Sequence, residues 1–141
     1  MTNEKTPTLR PLARYTLVCY WIALVLGTHW PRLPAIGPDG TDKILHTTAY
    51  AGLAFLLSIN LFWGRPTPWW KYAIVYIGVA IFGGLDELTQ PPFHRTADWY
   101  DWFADLRGAA IGLALSYFAH RVLRKKLAAT HSPTPPGRGP G

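Results

Sequence analysis

Side chains capable of chemistry recur along this chain at helical intervals. Asp42, Lys43, His46 and Tyr50 are spaced by three and four residues, which places them on one face of a helix near its start. Gly83, Glu87 and Gln90 stand at i, i+4 and i+7 near the end of another helical run. Asp98, Asp101, Asp105, Gly108 and Gly112 step by three, four, three and four along a further one. This last stripe begins acidic and becomes small. It ends in Gly108-Ala-Ala-Ile-Gly112, a GxxxG spacing that lets two helices approach closely, so these glycines are read as helix packing. Arg95 lies between the last two sets, in Pro-Pro-Phe-His-Arg. Carboxylates crowded around a histidine can exchange protons or accept from amines and hydroxyls. Lysine and arginine can hold phosphate, the arginine in bidentate fashion.

The elements that carry these residues are set by an unusual composition. Hydrophobic residues make up 49% of the 141 positions and charged residues 16%, against roughly 25% in a soluble domain. Seven Trp, seven Tyr and six Phe suit aromatic belts at lipid interfaces. An ordinary soluble enzyme is disfavoured on these grounds. With Cys19 as the single cysteine, an intrachain disulfide and a Cys-rich metal site are both excluded.

Uncharged runs extend from Arg14 to Arg32 and from Lys43 to Arg65, each near the roughly 20 residues that cross a bilayer as a helix. Two shorter runs, between Lys71 and Asp86 and between Arg107 and Arg121, cross only if flanking polar residues join them. The expectation is an all-α polytopic membrane protein, a bundle of four transmembrane helices over residues 14–30, 43–63, 69–89 and 99–123. This membrane domain, residues 13–128, lies between a cytoplasmic segment, 1–12, and a Pro/Gly-rich tail, 129–141, expected to be disordered. Pro66 and Pro68 separate the second and third helices, and Pro91 and Pro92 stop the third.

Charge sets the orientation. With both termini cytoplasmic, ten of the fourteen basic residues fall inside and seven of the eight acids outside, as the positive-inside rule asks. The net charge of +6 then reflects topology and gives no reason to expect nucleic acid as a partner. The stretch Leu-Gly-Thr-His-Trp-Pro-Arg-Leu-Pro has no small-x-small cleavage site, so the first span is expected to be retained. Asp42 and Asp98 also suit helix capping, and Trp63, Trp69, Trp70, Trp99 and Trp102 suit interfacial anchoring. Glu87, Asp101 and Asp105 sit at membrane depth with His46 where no helix end requires them, which marks them as functional candidates.

These blocks carry a resemblance. Asp42-Lys43-Ile-Leu-His46-Thr-Thr-Ala-Tyr50, then Asp86-Glu87-Leu-Thr-Gln90, Arg95-Thr-Ala-Asp98, Asp101, Asp105 and Gly108-xxx-Gly112, resemble the VanZ-like family of small bacterial membrane proteins over residues 40–118. The resemblance implies a multi-pass protein of the bacterial inner membrane, associated through the family's namesake with teicoplanin and glycopeptide resistance. The chain departs from the family pattern at Phe93-His94, where a Pro-Gly pair is common, and at Asp105, where many members have Asn.

Three functions compete. In the first, Asp42, Lys43, His46, Tyr50, Glu87, Gln90, Arg95, Asp98, Asp101 and Asp105 bind membrane lipid or a lipid-linked envelope precursor, with Lys43 and Arg95 on phosphate. In the second, His46, Glu87, Asp101 and Asp105 are catalytic candidates of a membrane-embedded enzyme. It would work by acid-base transfer or through a divalent ion on His46, Glu87 and an aspartate. The sequence by itself assigns no metal and no cofactor, since HExxH and GxSxG are both missing and His94 reaches the carboxylates only if its loop folds down. The third, proton or ion coupling, is weakened because the acidic stripe stops at Asp105.

Overall fold

The computed structural model describes residues 9–30, 40–62 and 65–130. The expected tail, Trp63, and the charges at Arg32 and Asp39 lie outside the described residues or at their edge. Four α-helices follow one another: α1 Leu9–His29, α2 Thr41–Phe62, α3 Trp69–Thr89 and α4 Trp99–Thr130, with a 3-10 turn at Pro91–Phe93 before α4. No strand occurs among the described residues.

Local chemistry explains the boundaries. Pro11 sits in the first turn of α1, where a missing N–H costs nothing, so this helix begins before the uncharged run that starts after Arg14. Gly40 turns into α2 at φ 92°, a left-handed value that favours glycine. Pro68 precedes α3 at φ −69° and ψ 152°, and Pro91 and Pro92 convert its end into the 3-10 turn. The Asp98 carboxylate accepts from the Tyr100 amide at 2.8 Å, which makes it the cap of α4.

By length and apolar composition, three helices can cross a membrane: Arg10–His29, Thr41–Phe62 and Trp69–Thr89. The 32-residue α4 fails that averaged criterion, carrying Asp101, Asp105 and Arg107 in its first turns.

The tightest seam joins α2 to α4. A Cβ on Gly108 would collide with the Thr47 carbonyl oxygen, and one on Gly112 with that of Ala51, so the backbones meet with no side chain between them. The Thr47 hydroxyl donates to the Ala104 carbonyl at 3.2 Å, and Ser58 and Ser116 share a hydrogen bond of 2.7 Å lower down. Tyr50, Leu53, Ala54, Val79, Ala109 and Leu113 fill the space between α2, α3 and α4. Trp102 donates its indole N–H to the Ala80 carbonyl at 3.0 Å, so it ties α4 to α3 instead of only anchoring at an interface. Trp69 and Trp99, 74% and 65% exposed, are free to take the anchoring role. The first helix lies on α2 through Tyr20, whose hydroxyl donates to the Ala49 carbonyl at 2.8 Å.

Candidate functional site

Antiparallel succession brings the end of α1, the start of α2, the end of α3 and the start of α4 to one pole of the bundle. All six acids of the described residues are at this pole. Asp86, Glu87, Asp101 and Asp105 are buried there, with exposures of 4% or less. Burying carboxylates is costly unless each finds a donor or a cation, so their partners define the site.

The loop after α3 supplies one set of partners. Gln90 donates to Glu87 Oε1 at 2.9 Å, while the Asp98 backbone amide donates to Glu87 Oε2 at 3.0 Å. Arg95 Nε in turn donates to Gln90 Oε1 at 3.1 Å. The spacing from Glu87 to Gln90 to Arg95 to Asp98 is thereby explained: residues 91–98 fold back over the end of α3, and both oxygens of one carboxylate are satisfied by the loop it holds.

His46 on α2 supplies the other set. Its Nδ1 lies 2.9 Å from Asp105 Oδ1 and 3.9 Å from Glu87 Oε1, and its Nε2 lies 4.0 Å from Asp101 Oδ2. One donor atom each from His46, Glu87 and Asp105 falls within 4.8 Å of the others, and Asp42, His46 and Asp101 form a second such group. Asp105 Oδ2 and the Tyr50 hydroxyl are buried and make no hydrogen bond among the described residues. Lys43 sits between Asp101 at 3.3 Å and Asp98 at 3.6 Å, engaged by acids of its own chain. Every candidate taken from the sequence is at this pole. Gly83, on the same stripe as Glu87, makes room there for Tyr50 and Asp105.

Between α1 and α2 the pole opens into a cavity of about 290 Å³. Asp42, His46, Tyr50 and Arg95 form its polar end, and Leu24 and Leu45 are among its apolar walls. The Arg95 side chain is only 7% exposed, and its Nη2 makes no hydrogen bond among the described residues, with Asp42 Oδ1 at 4.0 Å. A buried guanidinium nitrogen on a cavity wall is a donor waiting for an acceptor. Against protein-family models, curated proteins and solved structures, the chain matches none.

Two features of the pole were not singled out by periodicity. Asp86 precedes Glu87 by one residue, hence faces about 100° away on the helix. It meets α1 there, accepting from the Thr28 hydroxyl at 3.1 Å with His29 Nδ1 at 3.6 Å. The Thr28-His29 pair at the end of α1 is the sequence signal that could have pointed to it. His94 does not fold down: it ends the 3-10 turn in the left-handed region, at φ 60°, and is exposed.

Proposed function

We propose that the chain is a four-span protein of a bacterial inner membrane, similar to the VanZ-like family, with both termini cytoplasmic. Its outward-facing cavity binds the anionic head of a lipid-linked envelope molecule and so alters susceptibility to glycopeptides such as teicoplanin. The observation that carries this reading is Arg95 Nη2, buried on the cavity wall without a hydrogen-bonded acceptor. A phosphate oxygen supplies one, while the apolar walls between α1 and α2 suit the chain of an amphiphile. Lys43 takes the secondary task of compensating Asp98 and Asp101.

A fourth span is supported by which side chains α4 turns outwards. Asp101 and Asp105 point into the bundle, and the exposed face below them reads Ile111, Leu115, Phe118 and Val122, in steps of four, three and four. An average over consecutive residues, which mixes the buried polar face with the exposed one, hides this lipid-compatible stripe.

The test is lipid retained by the purified full-length protein, read by mass spectrometry. Arg95→Ala removes a hydrogen bond to a charged group worth roughly 1.5–3 kcal/mol, so retention of the lipid-linked envelope species, counted apart from ordinary phospholipid, is expected to fall about tenfold or more. Gly27→Leu offers an independent block, because Gly27 lines the cavity and a Cβ there meets nothing within 4 Å. Unchanged retention in both variants rejects the reading. Their loss of any glycopeptide tolerance that the parent confers tests its physiological half.

A second reading rests on the convergence of His46, Glu87 and Asp105, all buried. One nitrogen and two carboxylate donors suit zinc or manganese, which would equip the pole for metal-assisted chemistry on the same ligand. Metal analysis of the purified protein is expected to give one equivalent in the parent and none in His46→Ala or Glu87→Gln. A metal-free parent eliminates this version.

A further inference from the structure

The opposite pole carries a second, chemically inverse feature. A cavity of about 200 Å³ lies where α1 begins and α2 ends, lined by Arg10, Arg14 and Arg65 together with Ala13, Ile59 and Asn60. Arg10 and Arg14 are one helical turn apart on α1, and Arg65 follows α2. Packing brings them together: Asn60 Nδ2 donates to the Ala13 carbonyl of α1 at 3.1 Å and to Leu56 of its own helix at 2.8 Å, locking the two helices at this level.

None of the three guanidinium groups is in an ion pair with a described residue. The acids of the described residues are all at the far pole, beyond the 21 residues of α1, which span about 30 Å. That separation exceeds the Debye length of about 8 Å at physiological salt, so the acids cannot neutralise this end. Three like charges around one concavity repel one another, and an anion held among them removes the repulsion. Leu61, exposed, also borders the cavity, giving an apolar flank next to the charged mouth.

We propose that this cavity binds the phosphate of an anionic phospholipid in the cytoplasmic leaflet, with the arginines on the phosphate oxygens and the acyl chains along the apolar flank. A basic recess between membrane helices on that side is suited to such headgroups, and guanidinium forks match phosphate geometry where ammonium groups do not. The shared chemistry is phosphate, whose other source would be the free ion. The proposal rests on the cytoplasmic placement of the termini proposed above but stands apart from the Arg95 cavity, which lies at the other pole and is lined by other residues.

The experiment is native mass spectrometry of the full chain supplied with phosphatidylglycerol, phosphatidylcholine or inorganic phosphate alone, and with phosphatidylglycerol in competition with each of the other two. The parent is expected to hold one phosphatidylglycerol that phosphatidylcholine does not replace. Arg10→Gln/Arg14→Gln/Arg65→Gln is expected to lose that copy by about tenfold or more, whereas Arg95→Ala keeps it. The triple lysine variant preserves charge and topology and is expected to bind more weakly than the parent because the bidentate fork is gone. Equal retention by parent and lysine variant, or equal binding of phosphatidylcholine, reduces these arginines to determinants of topology and overturns the proposal. Displacement of the lipid by inorganic phosphate overturns it in favour of a soluble anion.

Discussion

Alanine at Gly108 or Gly112 is expected to destabilise the folded bundle by about 3 kcal/mol each, the upper part of the range for overpacking. The new methyl would overlap a main-chain oxygen, that of Thr47 or Ala51, and not the end of a flexible side chain. Relief requires α2 to back away from α4, which also opens the hydrogen bond from Thr47 to Ala104 and the one between Ser58 and Ser116. Gly78→Ala provides the contrast. A Cβ there meets nothing within 4 Å, so alanine is expected to stabilise α3 by up to about 1 kcal/mol through helix propensity. Unfolding of the detergent-solubilised protein, followed by thermal loss of the monodisperse species, compares the three. Similar melting of the Gly108 and Gly78 variants would contradict the close seam.

Substitution of His46 is the second large effect. His46→Leu leaves Asp105 and Glu87 buried without the imidazole between them, and removing one partner of a buried pair costs about 3–5 kcal/mol. Adding Asp105→Leu removes the orphaned carboxylate, so the double variant is expected to recover more than half of the loss. Asp105→Asn should be mild, since the amide oxygen can still accept from His46 Nδ1 while the charge disappears. A double-mutant cycle measures the coupling directly. A neutral His46→Leu single variant would show that His46 does not compensate its carboxylate neighbours.

The helices were legible because their punctuation is chemical. Pro66, Pro68, Pro91 and Pro92 interrupt the pattern where the helices stop, and the stripes of three and four residues fall where the bundle buries them. The gathering of His46, Glu87, Gln90 and Asp105 followed from those stripes, since antiparallel neighbours alternate their ends, and the loop between the last two helices carries Arg95 to the same end. Pairings that depend on the rotation of one helix against another were not legible. Asp86 faces α1, and nothing in the periodicity of α3 tells where α1 lies. Trp102 resembles an interfacial tryptophan by position, yet its indole reaches the Ala80 carbonyl across the α3–α4 packing. Lys43 looked available for phosphate, but Asp98 and Asp101 arrive next to it only in three dimensions. The length of α4 also exceeds the expected span, because a helix ends where its hydrogen bonding ends and hydropathy marks only the part that suits lipid.

The unequal attachment of α1 bears on how the Arg95 cavity is reached. Only 6% of its apolar window is buried, against 28% and 33% for α2 and α3, while the glycine seam clamps α2 to α4. The wall it contributes is therefore the least costly one to displace, and in the membrane placement proposed above its outer side would face hydrocarbon. For a ligand anchored in the bilayer, arrival becomes a search in two dimensions that needs no exit into water. The rate of loading would then follow the fluidity of the surrounding membrane.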